Sequence, residues 1–502
     1  MAGIRVLTDL PLALFRCDAA PRIGAGHVTR CLALAEALSA SGWRVAFAVG
    51  PDTITSAPSL ATSSFTVRVL NDRNQIRTLS EMASGAAALF VVDHYDYDRS
   101  FERTCRSFAH RILVFDDATG RDHDCDILVD AAAVGTSVYA GHVSPQARVL
   151  AGPAYALVRG SFVARRQQAL ARRDGRPVKE ILVSCGATDP ANATASVLDA
   201  LDGIVDAATV TVVLSSRAPH VNSVRTRSRG NTQLLVDVQT MAELMTRADL
   251  AVGALGATAF ERAVLGLPSI VVTLADNQRG MARMLAENVA VLDAGSIDDD
   301  FVPRLRHLVT GLLSNDEARR RLAQAASALV DGRGPMRIML GMLDDGVSKD
   351  GARIRLRTAS LDDEGWLFDL QAHPQTRRYF RNAAAPGPEE HHAWLQKTLR
   401  DEEKQLLIVE VDGAPVGNLR LDRLSGRAGA NEYELSIVID QKYHGRGVGA
   451  SALRFVRELM PGATLDAAIL PDNHASRALF KSVGYVALTD NVYQSKPSLA
   501  PA

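Results

Sequence analysis

Three groups of residues in this 502-residue sequence have the types and spacing that chemistry needs. The first is Gly24-Ala25-Gly26-His27-Val28-Thr29-Arg30, between a strand-like Phe15-Arg16-Cys17-Asp18 and an amphipathic helical stretch. Two close glycines make a tight turn with free amides, but the third glycine of a dinucleotide fingerprint is replaced and the loop from Asp18 is long, which argues against NAD. An imidazole in a first helical turn is disfavoured as imidazolium by the positive helix end, so His27 is expected to stay neutral, as a general base requires. Spacing alone does not separate that role from a histidine capping its own helix. Asp93-His94-Tyr95 and Phe115-Asp116-Asp117 each follow a buried strand, at the carboxyl ends where open α/β sheets place ligands. Turn capping is the competing reading for the two aspartates.

The second group is Ala251–Glu261 (AVGALGATAFE), followed by Gly266-Leu267-Pro268. A strand running into a Gly-rich turn and then a helix aims backbone N–H groups and a helix dipole at an anion. Gly256, Ala257 and Thr258 would form that cradle, and Glu261, about one turn into the helix, could accept both ribose hydroxyls. Ser184-Cys185-Gly186-Ala187-Thr188-Asp189-Pro190 is another strand-to-helix turn of small residues, and Asn277 and Gln278 follow the strand Ser269–Val272. The third group, Tyr443-His444-Gly445-Arg446-Gly447-Val448-Gly449-Ala450, follows the strand Glu432–Asp440 and precedes the helix Ser451–Leu459, again a turn whose amides could hold a pyrophosphate.

These groups need a frame. Val45–Val49, Leu89–Val92, Ile112–Phe115 and Ile127–Val129 read as short buried parallel strands, with helical patterns such as Arg30–Ala40 between them. The pattern restarts near residue 165 with Glu180–Ser184, Val210–Leu214, Leu250–Val252 and Ser269–Val272. Strand–helix alternation with a restart predicts two doubly wound domains, 1–165 and 166–342. Polar, aperiodic 343–351 reads as a linker to a third domain at 352–492. There Leu406–Val411 and Pro415–Leu421 flank an expected hairpin turn at Asp412-Gly413.

Composition supports this frame and excludes others. With 47% apolar and 23% charged residues the chain can bury several cores. Lys and Arg number 56 against 57 Asp and Glu, so no global field attracts nucleic acid or an anionic membrane. Five cysteines, all before residue 186 and without a C-x-x-C pair, fit buried thiols in a reducing cytosol better than a disulfide framework or a zinc ribbon. The start, Met1 to Phe15, carries Arg5, Asp9 and Pro11 and is unlike a signal peptide; no apolar run of ~18 residues is present. A cytoplasmic protein without membrane or nucleic-acid partners is expected; the sequence does not specify an oligomeric state.

Residues 1–345 resemble the hydrolases that remove UDP from UDP-2,4-diacetamido-2,4,6-trideoxy-β-L-altropyranose in pseudaminic acid biosynthesis. The resemblance is carried by G-A-G-H-V-T-R-C (24–31), V-D-H-Y (92–95), F-D-D…H-D-C-D (115–126), G-P-A-Y-A-L-V-R (152–159), S-C-G-A-T-D-P (184–190) and L-A-D-N-Q (274–278). It implies two Rossmann-like domains of glycosyltransferase-B type, His27 as the base activating water against the anomeric carbon, and Tyr95 near that water or the sugar. It further implies Gly24, Gly26, Arg30, Gly186, Gly256, Ala257, Thr258, Glu261, Asn277 and Gln278 at the substrate, and no metal. The segment Leu255–Glu261 departs from a G-G-S-T-T-W-E pattern, so some phosphate-contacting hydroxyls are absent.

Residues 352–490 resemble the GCN5-related N-acetyltransferases, an α+β fold. Gly445, Arg446, Gly447, Val448, Gly449 and Ala450 match their acyl-CoA loop, with His444 where Gln or Arg is usual, and Asn473 through Phe480 to Gly484-Tyr485 matches their last helix and strand. The resemblance implies acetyl-CoA as co-substrate, with Asn473 at the cofactor. Amine acetylation needs a base, and Glu432 and Glu434 share one strand face with Ser436; a solvated charged face is the competing reading for each. Phe480 stands where the family's acid tyrosine is usual.

The expectation is a bifunctional enzyme that acetylates the 4-amino group of a UDP-4-amino-sugar and hydrolyses the product to free sugar and UDP. A UDP-sugar glycosyltransferase with an acylating domain, and a non-catalytic nucleotide-sugar-binding protein, are the alternatives.

Overall fold

A computed structural model describes residues 10–20, 23–71, 75–228, 230–424 and 431–497; the expectation about the chain start falls largely outside them, on residues 1–9. Two compact units are distinguished, one of Ala13–Glu36 and Val45–Pro335, the other of Met1–Leu12, Ala37–Arg44 and Met336–Ala502.

The first unit is built on two parallel sheets. One contains β1 (Leu12–Cys17), β2 (Arg44–Val49), β3 (Thr66–Val69), β4 (Leu89–Asp93), β5 (Ile112–Phe115), β6 (Ile127–Asp130) and β7 (Arg148–Ala151), in the spatial order β3-β2-β1-β4-β5-β6-β7. The central strands are buried along their whole length, because helices cover both faces of a doubly wound sheet; hence their unbroken runs of Val, Ile, Leu and Phe. The order reverses between β1 and β4, whose last residues Cys17 and Asp93 lie side by side. The second sheet holds β8 (Glu180–Ser184), β9 (Thr209–Leu214), β10 (Thr232–Val236), β11 (Leu250–Ala254), β12 (Ser269–Thr273) and β13 (Leu292–Ser296), in the order β10-β9-β8-β11-β12-β13. Its reversal falls between β8 and β11, where Ser184 pairs with Gly253. At such a reversal the following loops diverge to opposite faces and leave a crevice, so both sheets offer a binding position at their carboxyl ends.

The second unit contains a largely antiparallel sheet: β14 (Gly346–Val347), β15 (Arg353–Thr358), β16 (Lys404–Val411), β17 (Ala414–Arg423), β18 (Glu432–Ile439), β19 (Thr464–Ala468), β20 (Val486–Ala487) and β21 (Val492–Ser495). The β16–β17 hairpin turns at Asp412 and Gly413, both at positive φ, as the sequence leads one to expect. Among the described residues only β18 and β19 run parallel in this sheet, and their pairing is confined to Glu432–Glu434 against Thr464–Asp466; the rest of β18 continues without that neighbour toward the glycine loop.

One expectation is corrected here. Segment 343–351 is not a free linker, since it contains β14, which pairs antiparallel with Arg353 and Ile354. A Cβ on Gly346 would lie 2.8 Å from the Phe455 ring, so glycine lets the backbone lie directly on that side chain. A two-residue strand has no hydrophobic period to detect.

Candidate functional site

At the first reversal, the helix Gly26–Ala40 starts after β1 and places His27 in its opening turn, beside Asp93 at the end of β4. His27 is buried to 6% exposure, and its Nδ1 lies 3.6 Å from Asp93 Oδ1. Asp93 directs both oxygens to Arg30, with Nε and Nη2 donating at 2.6 and 2.7 Å. Burial, reinforced by the Arg30 charge, holds the His27 pKa below the ordinary imidazole value against the pull of Asp93. A neutral imidazole results, as a base requires. The Tyr95 ring meets His27 edge-on, with centroids 4.7 Å apart. The Tyr95 hydroxyl donates to Asp117 Oδ1 at 2.9 Å, while Arg30 Nη1 donates to Asp117 Oδ2 at 3.0 Å. Burial and the Asp117 charge push the Tyr95 phenol well above its ordinary pKa, so it is a donor, not a phenolate. Arg30 is thereby engaged as a clamp between the two carboxylates. Gly24 takes positive φ, and both Gly24 and Gly26 have open space where a Cβ would stand.

A neighbouring network was not singled out from sequence. Asp18 accepts from Arg16 at 2.5 Å, from the Gly50 amide at 2.5 Å, and faces His94 Nε2 at 3.0 Å. Burial opposes ionisation of Asp18, yet the hydrogen bonds from His94 and Arg16 hold its pKa well below the usual range. The signal for it, a polar residue closing an apolar strand, was present at Asp18, but its partners lie up to 76 positions away.

At the second reversal, β11 runs through Leu255 and Gly256 into the helix Ala257–Val264. Gly256 is its N-cap, at positive φ and without a capping side chain; Ala257 and Thr258 follow, half-buried. Glu261, 1% exposed, accepts from Arg159 Nε at 2.8 Å through Oε1, while Oε2 has no partner. Burial raises its pKa, with Arg159 opposing. Gly186 is at positive φ in the loop after β8, register neighbour of β11. Gln278 bridges toward the same turn: its Oε1 accepts from the Leu274 amide at 2.8 Å and its Nε2 donates to Leu255 O at 3.5 Å; Asn277 is exposed.

In the second unit, Gly445 and Gly447 are at positive φ and Gly447 is the N-cap of the helix Val448–Leu459. Gly449 lets that helix approach Leu479, whose Cδ2 would stand 3.1 Å from an added Cβ. The amides of Gly447–Ala450 therefore cluster at one helix start. Arg446 is tied back by an ion pair with Asp350 at 2.5 Å and lies over the Tyr443 ring. His444 donates from Nε2 to Ile439 O at 2.9 Å. Asn473 caps the helix His474–Ser482, its carbonyl accepting from the Ser476 amide at 3.1 Å. Glu434 pairs with Arg381 and sits in register between Asp422 and Asp466. Glu432 opens the same strand, opposite Thr464. Phe480 is buried, edge-on to Tyr485.

All five cysteines are buried and free. Among the described residues no cluster of three or more His, Cys, Asp or Glu is placed to hold a metal ion, and no helix is long and apolar enough to cross a membrane.

Comparison with known proteins bears on both units. Residues 353–486 match the Acetyltransferase (GNAT) domain model. The spore coat polysaccharide biosynthesis protein SpsG of Bacillus subtilis is 26% identical over 331 residues, 63% of this chain and 93% of that protein. The UDP-2,4-diacetamido-2,4,6-trideoxy-beta-L-altropyranose hydrolase of Campylobacter jejuni is 26% identical over 281 residues, 55% of this chain and 96% of that protein. An uncharacterized protein of Methanocaldococcus jannaschii is 21% identical over 485 residues, covering 93% of this chain and 95% of that one. The chain therefore carries a GNAT acetyltransferase domain in its C-terminal region, and its N-terminal region resembles a UDP-diacetamido-trideoxy-altropyranose hydrolase.

Proposed function

We propose that this protein is a bifunctional sugar-nucleotide enzyme. Its N-terminal region hydrolyses UDP-2,4-diacetamido-2,4,6-trideoxy-β-L-altropyranose to the free sugar and UDP, and its C-terminal domain acetylates the 4-amino group of the precursor UDP-amino-sugar with acetyl-CoA. The observation that carries the first activity is the neutral, buried His27 beside Tyr95, with Asp93 and Asp117 fixed by one arginine. His27 takes a proton from water as the water oxygen attacks the anomeric carbon; the bond from that carbon to the UDP oxygen breaks and UDP leaves. Tyr95, held protonated with its O–H committed to Asp117, packs its ring against His27 at the same place. The cradle at Gly256, Ala257 and Thr258 receives the diphosphate, and the free oxygen of Glu261 is available to the ribose.

For acyl transfer, the glycine loop holds the acetyl-CoA pyrophosphate, and Glu432 or Glu434 takes the proton of the attacking amine. The tetrahedral intermediate then collapses and CoA thiolate leaves, protonated by solvent because Phe480 has no acidic proton to give. Acetylation precedes hydrolysis chemically, which makes the fusion of the two activities sensible. The decisive experiment offers the purified protein a panel of UDP-amino-sugars with and without acetyl-CoA and follows products by mass. Acetyl-CoA-dependent gain of one acetyl group, followed by release of UDP, is expected. Transfer of the sugar to an acceptor instead of water would identify a glycosyltransferase.

A further inference from the structure

Arg262 heads the fully buried side chains by volume, at 1% exposure. Its Nη2 donates to Ala254 O at 2.8 Å, but Nε and Nη1 have no hydrogen-bond partner. Burial lowers its pKa to about 10, so it remains a cation at neutral pH. An internal guanidinium with two idle donors is a costly element in a fold unless something compensates it. The groups that face it do not. Glu261 is already held by Arg159, which leaves two guanidinium groups against one carboxylate. Cys185, the other near group, is kept a neutral thiol because burial pushes its pKa up to about 12.

The location of this charge is specific. Helical side chains lean toward the helix N-terminus, so Arg262 reaches from the second turn of Ala257–Val264 back beneath the Ala254–Gly256 turn. A Cβ on Gly253 would stand 2.9 Å from Nη1 and 2.5 Å from Ser184 O, so the guanidinium lies at the strand reversal itself. The two strand-to-helix turns at this reversal then differ in one respect. The turn after β8 carries its own anion, Asp189, which accepts from the Ala193 and Thr194 amides at 2.8 Å each. The turn after β11 has Gly256 at its N-cap, no capping side chain, and a buried cation beneath it.

We propose that Arg262 is a positioning residue that supplies a buried counter-charge to the diphosphate of a nucleotide on the Gly256–Thr258 turn. This rests on the reading of that turn as the nucleotide cradle and adds what selects the ligand's charge. A diphosphate above the turn completes the ion balance that Glu261 leaves short, and the field acts through a short, dry path where the effective dielectric is low. The site is thereby selective for a nucleoside diphosphate over an uncharged nucleoside, and the apo protein carries the strain of an unpaired charge.

The test is calorimetric titration of the full-length protein and its Arg262→Met and Arg262→Lys variants with uridine, UMP and UDP, with thermal melts of each. In Arg262→Met, uridine affinity is expected to stay at the wild-type value while UDP affinity falls by about tenfold or more, the size of a lost charge-assisted interaction, with UMP between. Arg262→Lys keeps the charge and is expected to recover part of the UDP affinity. The apo melting temperature of Arg262→Met is expected to equal or exceed wild type, because the uncompensated charge is gone, and its UDP-induced rise to shrink. Equal losses for all three ligands, or a lower apo melting temperature with an unchanged UDP increment, would overturn the proposal and leave Arg262 a structural residue. If Arg262→Met does not fold, that too assigns a structural role unless Arg262→Lys, folded, loses UDP affinity selectively. A wild-type protein that binds none of the three ligands would instead overturn the nucleotide-cradle reading itself.

Discussion

Asp93 stands next to His27 yet does not hydrogen-bond to it: the Nδ1–Oδ1 separation is 3.6 Å because both carboxylate oxygens point to Arg30. Arg30 thus controls how strongly Asp93 stabilises imidazolium. The three-residue arrangement keeps His27 unprotonated where a freely paired His–Asp dyad would favour the cation.

The pH dependence of hydrolysis follows. With the His27 pKa below its ordinary value of 6.5, hydrolysis is expected to persist at neutral pH and to fall on an acid limb below pH 6.5. Arg30→Gln removes a charge that lowers the pKa and should move that limb upward. Asp93→Asn removes one that raises it and should move the limb downward. His27→Ala should reduce turnover by about 10²-fold or more with UDP affinity retained. Rate–pH profiles of the three variants check this; limbs that move in the same direction in the Arg30 and Asp93 variants would exclude His27 as the titrating base.

Glu261→Ala is expected to weaken UDP and uridine by the same factor, since the ribose is common to both, at a cost of about 1–3 kcal/mol for hydrogen bonds to a charged group. The pattern is the opposite of that expected for Arg262→Met. Calorimetry with both ligands reads the difference, and a loss confined to UDP would place Glu261 away from the ribose.

His123 links stability to pH. Burial alone would lower its pKa, but hydrogen bonds with Asp116 at 3.4 Å and Glu102 at 2.7 Å, and their charges, raise it to about 9. A raised folded-state pKa means a contribution fully present below the unfolded value near 6.5 and lost as pH climbs through about 9. Denaturation midpoints of the first unit are expected to fall as pH rises from 6.5 to about 9, with most of that slope absent in His123→Gln. An unchanged slope in the variant would assign the pH dependence to other groups.

Gly447 caps its helix with φ 86°. Gly447→Val combines a left-handed conformation that β-branched residues avoid with a side chain over the helix-start amides. It is expected to abolish acetyl transfer and CoA binding while UDP release from an already acetylated substrate continues. Separate fragments test the same independence, and the cut must respect β14: a C-terminal fragment beginning at residue 336 should bind CoA, whereas one beginning at 350 lacks the edge strand and Lys349, whose amide donates to Arg446 O at 2.9 Å. Equal stability of the two fragments would show that β14 contributes nothing.

Much of this architecture was legible one residue at a time. Buried parallel strands betray themselves by uninterrupted apolar runs, so Ile112–Phe115 and Glu180–Ser184 were bounded correctly from sequence. Glycines in turns needing positive φ, such as Gly256, Gly445 and Gly447, were legible because the backbone conformation itself demands that residue. Local information of that kind lies within a few positions and survives without the fold. What tertiary structure alone decided is how charges pair. Arg30, expected at the substrate, pairs with Asp93 and Asp117, 63 and 87 positions away. Asn473, expected at the cofactor, also caps a helix through its side chain. Glu261 and Arg262 are adjacent charges on one short helix, yet both are 1% exposed. Hydrophobic pattern reports the average medium around a segment, whereas an ion's state depends on particular partners and on the dielectric between them. Those partners meet only when strand order brings distant strand ends to the same crevice.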